Sequence, residues 1–127
     1  MKKYIYLILL SVALLSCSKD EGYGGLATIK GKVYGKDYNS SGYVVGEGYL
    51  GDVSVYISAS GSTDYFDKVD SAYDGSFTFN YLQKGTYDIW VFGDCDTCTW
   101  DQNFVKKTIT ISSSRETVTT EDFVITF

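Results

Sequence analysis

Three short segments of this chain alternate apolar and polar residues with a period of two, and no stretch after Cys17 sustains a helical period. In Ile29-Lys30-Gly31-Lys32-Val33, Val53-Ser54-Val55-Tyr56-Ile57 and Phe77-Thr78-Phe79 the odd positions are apolar or small and the even ones mostly polar. A strand sends successive side chains to opposite faces, so this pattern buries one face and wets the other. Tyr65 to Ala72, Thr86 to Phe92, Val105 to Ile111 and Thr117 to Phe127 are rich in β-branched and aromatic residues and complete the strand candidates. About seven short strands separated by turn signals predict an all-β fold, an antiparallel β-sandwich whose two inner faces make one core.

Asp74-Gly75 is the strongest turn signal, because a type I′ hairpin needs positive φ at both central residues and this pair tolerates it. Lys84-Gly85 punctuates the chain between Tyr81-Leu82 and the strand Thr86 to Phe92. The two turns predict a three-strand meander. The glycine-rich stretch Asp37 to Gly48 reads as a long loop after the first strand.

Four motifs occur in order: Ile29-Lys30-Gly31-Lys32-Val33, Leu50-Gly51-Asp52-Val53-Ser54-Val55, Asp74-Gly75-Ser76-Phe77-Thr78-Phe79 and Leu82-Gln83-Lys84-Gly85-Thr86-Tyr87. Together they resemble the carboxypeptidase regulatory-like domain, a transthyretin-like (prealbumin-like) and immunoglobulin-like β-sandwich, over about residues 27–93. The resemblance implies a fold in which Gly31 permits close approach and Gly85 resets the chain before Tyr87, Ile89 and Val91 enter the core. It implies no catalytic residues, since such domains serve as structural, spacer or binding modules. The chain departs from the family in having no proline near its turns.

The N-terminus has its own signature. Met1-Lys2-Lys3 precedes the apolar run Tyr4 to Leu15, and Leu14-Leu15-Ser16-Cys17 closes it. A run of twelve residues is too short for a spanning helix, which needs roughly 20, so it reads as a secretory signal over residues 1–16. Leu14 to Cys17 resembles the lipobox of bacterial lipoproteins, which implies cleavage before Cys17 and acylation there with diacylglycerol and a further chain such as palmitate. Two or more acyl chains hold a protein at a membrane without spanning it. Ser18-Lys19-Asp20-Glu21 and Gly22-Tyr23-Gly24-Gly25 then read as a tether over residues 17–26, with the sandwich domain at 27–127. The Lys-Asp-Glu run resembles the export signal of Bacteroidetes surface lipoproteins. The expected location is the outer membrane, at the cell surface or on its periplasmic face.

Composition removes several function classes. Without residues 1–16 the 127-residue chain keeps 111, room for one domain, with 9 basic and 16 acidic residues and a side-chain balance of −7. An acidic chain with no basic cluster is a poor partner for nucleic acid. There is no histidine, which excludes Ser-His-Asp and Cys-His catalysis and the usual histidine zinc sites. No cofactor and no metal site is expected. Asp94, Asp96 and Asp101, like Asp64, Asp67, Asp70 and Asp74, lack the spacing of a calcium loop and read as solvated turns.

Cys95-Asp96-Thr97-Cys98 follows a strand, with no helix pattern behind it to stabilise a thiolate and no further ligands for zinc. Outside the cytoplasm a disulfide closing a loop is the simplest reading of Cys95 and Cys98. Aromatics supply the binding candidates. Alternation puts Asp88 and Trp90 opposite Tyr87, Ile89 and Val91, so Trp90 and Trp100 form a candidate ligand platform unless a loop packs over them. Tyr34, Tyr38, Tyr43 and Tyr49 gather in and beside the glycine-rich stretch.

Two function classes follow. One is a non-enzymatic, lipid-anchored module that binds or spaces an envelope protein partner. The other is a carbohydrate-binding surface lipoprotein serving polysaccharide capture. Both require the anchor: Cys17→Ser should abolish labelling by a clickable palmitate analogue and release the protein from the membrane fraction, and unchanged labelling would dismiss Cys17 as the lipid site.

Overall fold

A computed structural model describes residues 20–94 and 102–127. Within them nine strands make two sheets. β1 (Tyr23–Tyr38), β2 (Val44–Tyr49), β5 (Ser76–Leu82), β8 (Thr117–Thr119) and β9 (Phe123–Thr126) form the first sheet. β3 (Ser54–Ala59), β4 (Asp67–Asp70), β6 (Gly85–Asp94) and β7 (Gln102–Ile111) form the second, in the order β4-β3-β6-β7. The all-β sandwich stands as the sequence predicts. Its details differ in ways that matter for the site.

β1 is the spine of the first sheet. Ala27 to Lys32 pairs antiparallel with β5 and Tyr34 to Tyr38 with β2, while Thr28 to Lys30 pairs parallel with β8 and Val33 to Lys36 parallel with β9. The sheet is therefore mixed, where a purely antiparallel one is expected, and the C-terminal candidate Thr117 to Phe127 splits into two short parallel strands. The chain can return in this direction because β7 ends in the second sheet and residues 112–116 carry it across. Glu116 fastens that crossing: its carboxylate accepts the amides of Ser112 (2.8 Å) and Ser113 (3.1 Å), and its carbonyl accepts Thr28 N–H at 2.9 Å.

The core lies between the sheets. Ala27, Ile29 and Val33 of β1, Phe77 and Phe79 of β5, and Phe123 and Ile125 of β9 face Val55 and Ile57 of β3, Tyr87, Ile89 and Val91 of β6, and Ile109 and Ile111 of β7. Each such side chain contributes roughly 1.5–3 kcal/mol when fully buried. Phe77 meets Phe79 and Phe123 edge-on at centroid distances of 6.0 and 5.7 Å. Gly31 sits in this face because nothing larger fits. A methyl group there would overlap Thr120 Oγ1 and lie 2.8 Å from Phe77 Cζ.

Three local expectations need correction. Asp74-Gly75 is not the centre of a type I′ turn: Gly75 N–H donates to the Ala72 carbonyl and Ala72 N–H to that of Ser76, so Tyr73-Asp74-Gly75 is a three-residue loop. Only Gly75 takes a positive φ (85°), as a turn closed by a left-handed glycine requires. Nor do β4, β5 and β6 form a meander, because β5 leaves β4 and pairs with β1 in the opposite sheet. The expected loop Asp37 to Gly48 contains most of β2, which forms a hairpin with β1 closed by Asn39: its side chain accepts the amides of Ser41 and Tyr43, both at 3.0 Å.

The expected tether over residues 17–26 also shortens. β1 begins at Tyr23, and the residues before it are clamped to the β5–β6 turn. Gln83 N–H donates to the Gly22 carbonyl at 2.8 Å, Gly22 N–H to the Tyr87 hydroxyl at 2.9 Å, and that hydroxyl to the Gln83 carbonyl at 2.7 Å. Tyr23 adds a short hydrogen bond from its hydroxyl to Asp67. Burial pushes the Tyr87 hydroxyl above its ordinary pKa, and burial with the Asp67 carboxylate pushes Tyr23 up to about 12.

Because both folded-state values are raised, the protonated phenols stabilise the fold fully below pH 10 and that contribution is lost as pH rises from about 10 toward 12. Urea unfolding at pH 8 and pH 11 should show a lower midpoint at the higher pH. Tyr87→Phe should cost about 1–2 kcal/mol at pH 8 by stranding Gly22 N–H and the Gln83 carbonyl. A midpoint independent of pH across this range would rule out the clamp as a titrating element.

Candidate functional site

The inner positions of the second sheet are spent on the core, which leaves its outer face to be explained. Cross-strand registers place Tyr56 beside Trp90 and Trp90 beside Lys106, with Phe92 beside Phe104 one pleat further along. Period-two alternation puts all of these on the face opposite Ile57, Ile89, Val91 and Val105. Trp90 thus lies where the sequence alternation puts it. Trp100, Cys95 and Cys98 fall outside the described residues, as does Cys17.

Five aromatic rings make contact across this face. Trp90 and Tyr56 lie nearly parallel, 9° apart with centroids 5.8 Å from each other. Tyr65 meets Tyr56 edge-on at 4.9 Å, Phe92 meets Tyr56 at 5.8 Å, and Phe104 touches both Trp90 (6.4 Å) and Phe92 (5.5 Å). Much of the patch meets solvent: Phe104 is 55% exposed, Tyr65 49% and Phe92 41%. A contiguous apolar patch on the outside of a sheet, where polar residues cost nothing, is a candidate binding surface.

Polar groups border the aromatics on one side. The β3–β4 loop folds over the sheet, and Ser62 and Thr63 form a groove of about 260 Å³ with Asp88, Trp90, Phe104 and Lys106. Asp88 holds that loop down. Only 6% exposed, its carboxylate accepts Thr108 Oγ1 at 2.7 Å through one oxygen and Gly61 N–H at 3.3 Å through the other. Burial alone would push its pKa up, but the Thr108 hydroxyl, the Gly61 amide and the charge of Lys106 outweigh it, and the group is held below the usual aspartate value. The loop therefore packs over Asp88 while Trp90 stays partly open beside it.

A larger cleft of about 490 Å³ runs along the seam between β7 and β8, lined by Lys107 to Thr110 and Val118 to Glu121. It has no aromatic side chain in its wall, and its inner residues belong to the edge of the core. Ligand sites combine an apolar surface with a few convergent polar groups, and the outer face of the second sheet offers that combination. Tyr34 and Tyr49 sit elsewhere, on the β1–β2 hairpin, where they meet edge-on at 5.2 Å and Tyr49 donates to Asp122 at 3.0 Å. Among the described residues no three carboxylates or cysteines come together as metal ligands.

Sequence reasoning finds Trp90 and Asp88 from alternation along one strand. It misses Tyr56, Tyr65, Phe92, Phe104 and Lys106, whose membership depends on the register between strands. A signal was present: an aromatic or lysine at every second position of Phe92, Trp90, Phe104 and Lys106, opposite the apolar positions.

No protein-family model matches the chain, and no curated protein sequence does. Among solved structures it is similar to a Pseudomonas aeruginosa protein described as a candidate carbohydrate-binding protein, with a TM-score of 0.52 and 15% identity. The match covers 89% of this chain and 94% of that one. At that identity the likeness is one of fold: the same β-sandwich runs through both chains.

Proposed function

We propose that the protein is a non-enzymatic binding module, held at the outer membrane by lipid on Cys17, that takes carbohydrate on the outer face of its second sheet. The observation that carries this reading is the pairing of Trp90 with Tyr56 on an open sheet face beside a groove of hydroxyl and charged groups. A pyranose presents an apolar face of C–H groups and a rim of hydroxyls, so it needs both kinds of partner at once. The fold shared with a candidate carbohydrate-binding protein agrees with this choice.

The reading of a surface that docks an envelope protein rests on the same patch. The groove favours the glycan, because a protein interface core of this size depletes charged residues and here Lys106 and Asp88 lie within it. The non-enzymatic reading is supported by the lack of histidine in the sequence and by Asp88, the acid in the groove, whose two oxygens both accept the protein's own donors. General acid–base work on a glycoside needs a carboxyl free to meet the substrate.

Purified full-length protein should bind a subset of a glycan array saturably, and Trp90→Ala should lower that affinity by about tenfold or more, the scale of losing an aromatic anchor. Thermal unfolding of the variant should stay close to that of the parent, since Trp90 lies outside the core. Absence of glycan binding, together with a stoichiometric protein partner recovered from cross-linked cells, would overturn the carbohydrate reading in favour of protein docking.

A further inference from the structure

The registers of the second sheet line up one residue from each of its four strands. Lys68 of β4 is opposite Tyr56 of β3, Tyr56 opposite Trp90 of β6, and Trp90 opposite Lys106 of β7. Residues directly opposite in a sheet share a face, so the outer face carries a row that reads lysine, tyrosine, tryptophan, lysine. Val69 packs against the core, which confirms that Lys68 points outward with the others. Both lysines are exposed. Neighbouring strands are about 4.8 Å apart, so the row spans about 15 Å and places a cation at each end of a two-ring aromatic platform.

The chemistry of the row is lopsided. Its charged ends are ammonium groups, which donate and cannot accept. The carboxylates beside the row each hold a donor of the protein. Asp88 accepts Thr108 Oγ1 and Gly61 N–H, and Asp70 accepts Ser54 Oγ at 2.9 Å. In the groove, the Ser62 hydroxyl is turned to its own loop, donating to the Asp64 carbonyl at 3.2 Å. A neutral sugar gives the ammonium groups only hydroxyl acceptors, while a charged one gives them an opposite charge. A sugar with its own negative charge fits the two lysines.

Resting on the carbohydrate reading above, we infer that the ligand is an acidic polysaccharide, its chain lying across the four strands with pyranose faces on Trp90 and Tyr56 and anionic substituents on Lys68 and Lys106. The net negative charge of the protein does not prevent this. At physiological ionic strength charges beyond about 8 Å are screened, so most of the protein's acidic residues act weakly on the row, and each terminal lysine has one carboxylate near it, Asp70 or Asp88. Carboxylate and sulfate substituents share the required chemistry, and only measurement separates them.

The test is calorimetric titration of the full-length protein with three oligosaccharides of matched length: oligogalacturonate, a chondroitin sulfate oligomer and a neutral xylo-oligosaccharide. An acidic oligomer should bind about tenfold more tightly than the neutral one at low salt, with the gap closing as salt rises. Lys68→Gln and Lys106→Gln should each weaken the acidic oligomer about 2- to 5-fold, the range for exposed charge pairs, and weaken it more than they weaken any neutral oligomer. Preference for galacturonate assigns carboxylate recognition, and preference for chondroitin sulfate assigns sulfate recognition. Equal affinity for all three, or lysine variants without effect, would overturn this inference while Trp90-dependent binding kept the carbohydrate reading intact. Failure of every oligosaccharide and of the glycan array would remove both. Near-parental melting temperatures of the lysine variants identify their losses as local to the row.

Discussion

Both edges of β1 are hydrogen-bonded, to β5 and then β2 along one side and to β8 and then β9 along the other. This double use is the constraint on which the rest of the sandwich depends. An edge strand leaves a row of unpaired amides and carbonyls, and a strand paired on both sides leaves none. It also gathers distant parts of the chain onto one scaffold, since the hairpin at residues 34–49, the strand at 76–82 and the C-terminal strands all register against the same sixteen residues. With the first sheet assembled in this way, its inner face of Ala27, Ile29 and Val33 is fixed in position, and the second sheet has a surface to pack on. Against that surface Tyr87, Ile89 and Val91 turn inward, and their alternating neighbours Asp88, Trp90 and Phe92 turn outward.

The same logic explains which parts of the molecule could be read from residues alone. Alternation in Phe77-Thr78-Phe79 shows that one face of that strand is buried, but the apolar face would serve equally well in either sheet. Pairing with β1 instead of β4 is decided by contacts far away in sequence, so the predicted meander fails although the strands themselves are correct. β2 hides for a different reason. Gly46 and Gly48 weaken the strand pattern and mimic a loop, yet they stand opposite Asp37 and Gly35 in a regular ladder. The stretch Gly22 to Gly25 looks like linker because nothing nearby holds it. Its partners, Leu82, Gln83 and Tyr87, lie about sixty positions along the chain.

The candidate site was legible only in part for a related reason. Asp88 and Trp90 come from one strand, and one strand is enough to predict the face on which they stand. The row that joins Trp90 to Tyr56, Lys68 and Lys106 exists only through three registers, and each depends on turns whose geometry local sequence does not determine. Asp88 illustrates how far chemistry depends on that context. Taken as a residue it is a free acid beside a tryptophan, a tempting catalytic or hydroxyl-binding group. In the fold it is the fastening of the β3–β4 loop, with both oxygens engaged, and what it contributes to the surface is the shape of the groove.

The N-terminal clamp joins the proposed anchor to the proposed binding face. With lipid on Cys17, five residues separate the membrane attachment from the first residue of β1, a reach of at most about 20 Å. The clamp onto Gln83 and Tyr87 puts that attachment at the end of the sandwich where β6 begins, and β6 then runs away from it toward Asp94. The lysine–aromatic row crosses β6 at Trp90, roughly halfway along. It runs perpendicular to a strand whose near end would face the bilayer under the proposed anchor, so an extended polysaccharide seated on it would lie across the long axis of the domain, not along it. Such a chain could pass over many copies of the protein side by side, each contributing one short row. Weak exposed ion pairs and a two-ring platform are enough under those conditions, because linked sites on one polymer raise the effective concentration for every further contact. A site of modest strength, fixed close to a membrane and aligned by a hydrogen-bonded clamp, is suited to holding a long ligand that a single free domain would release.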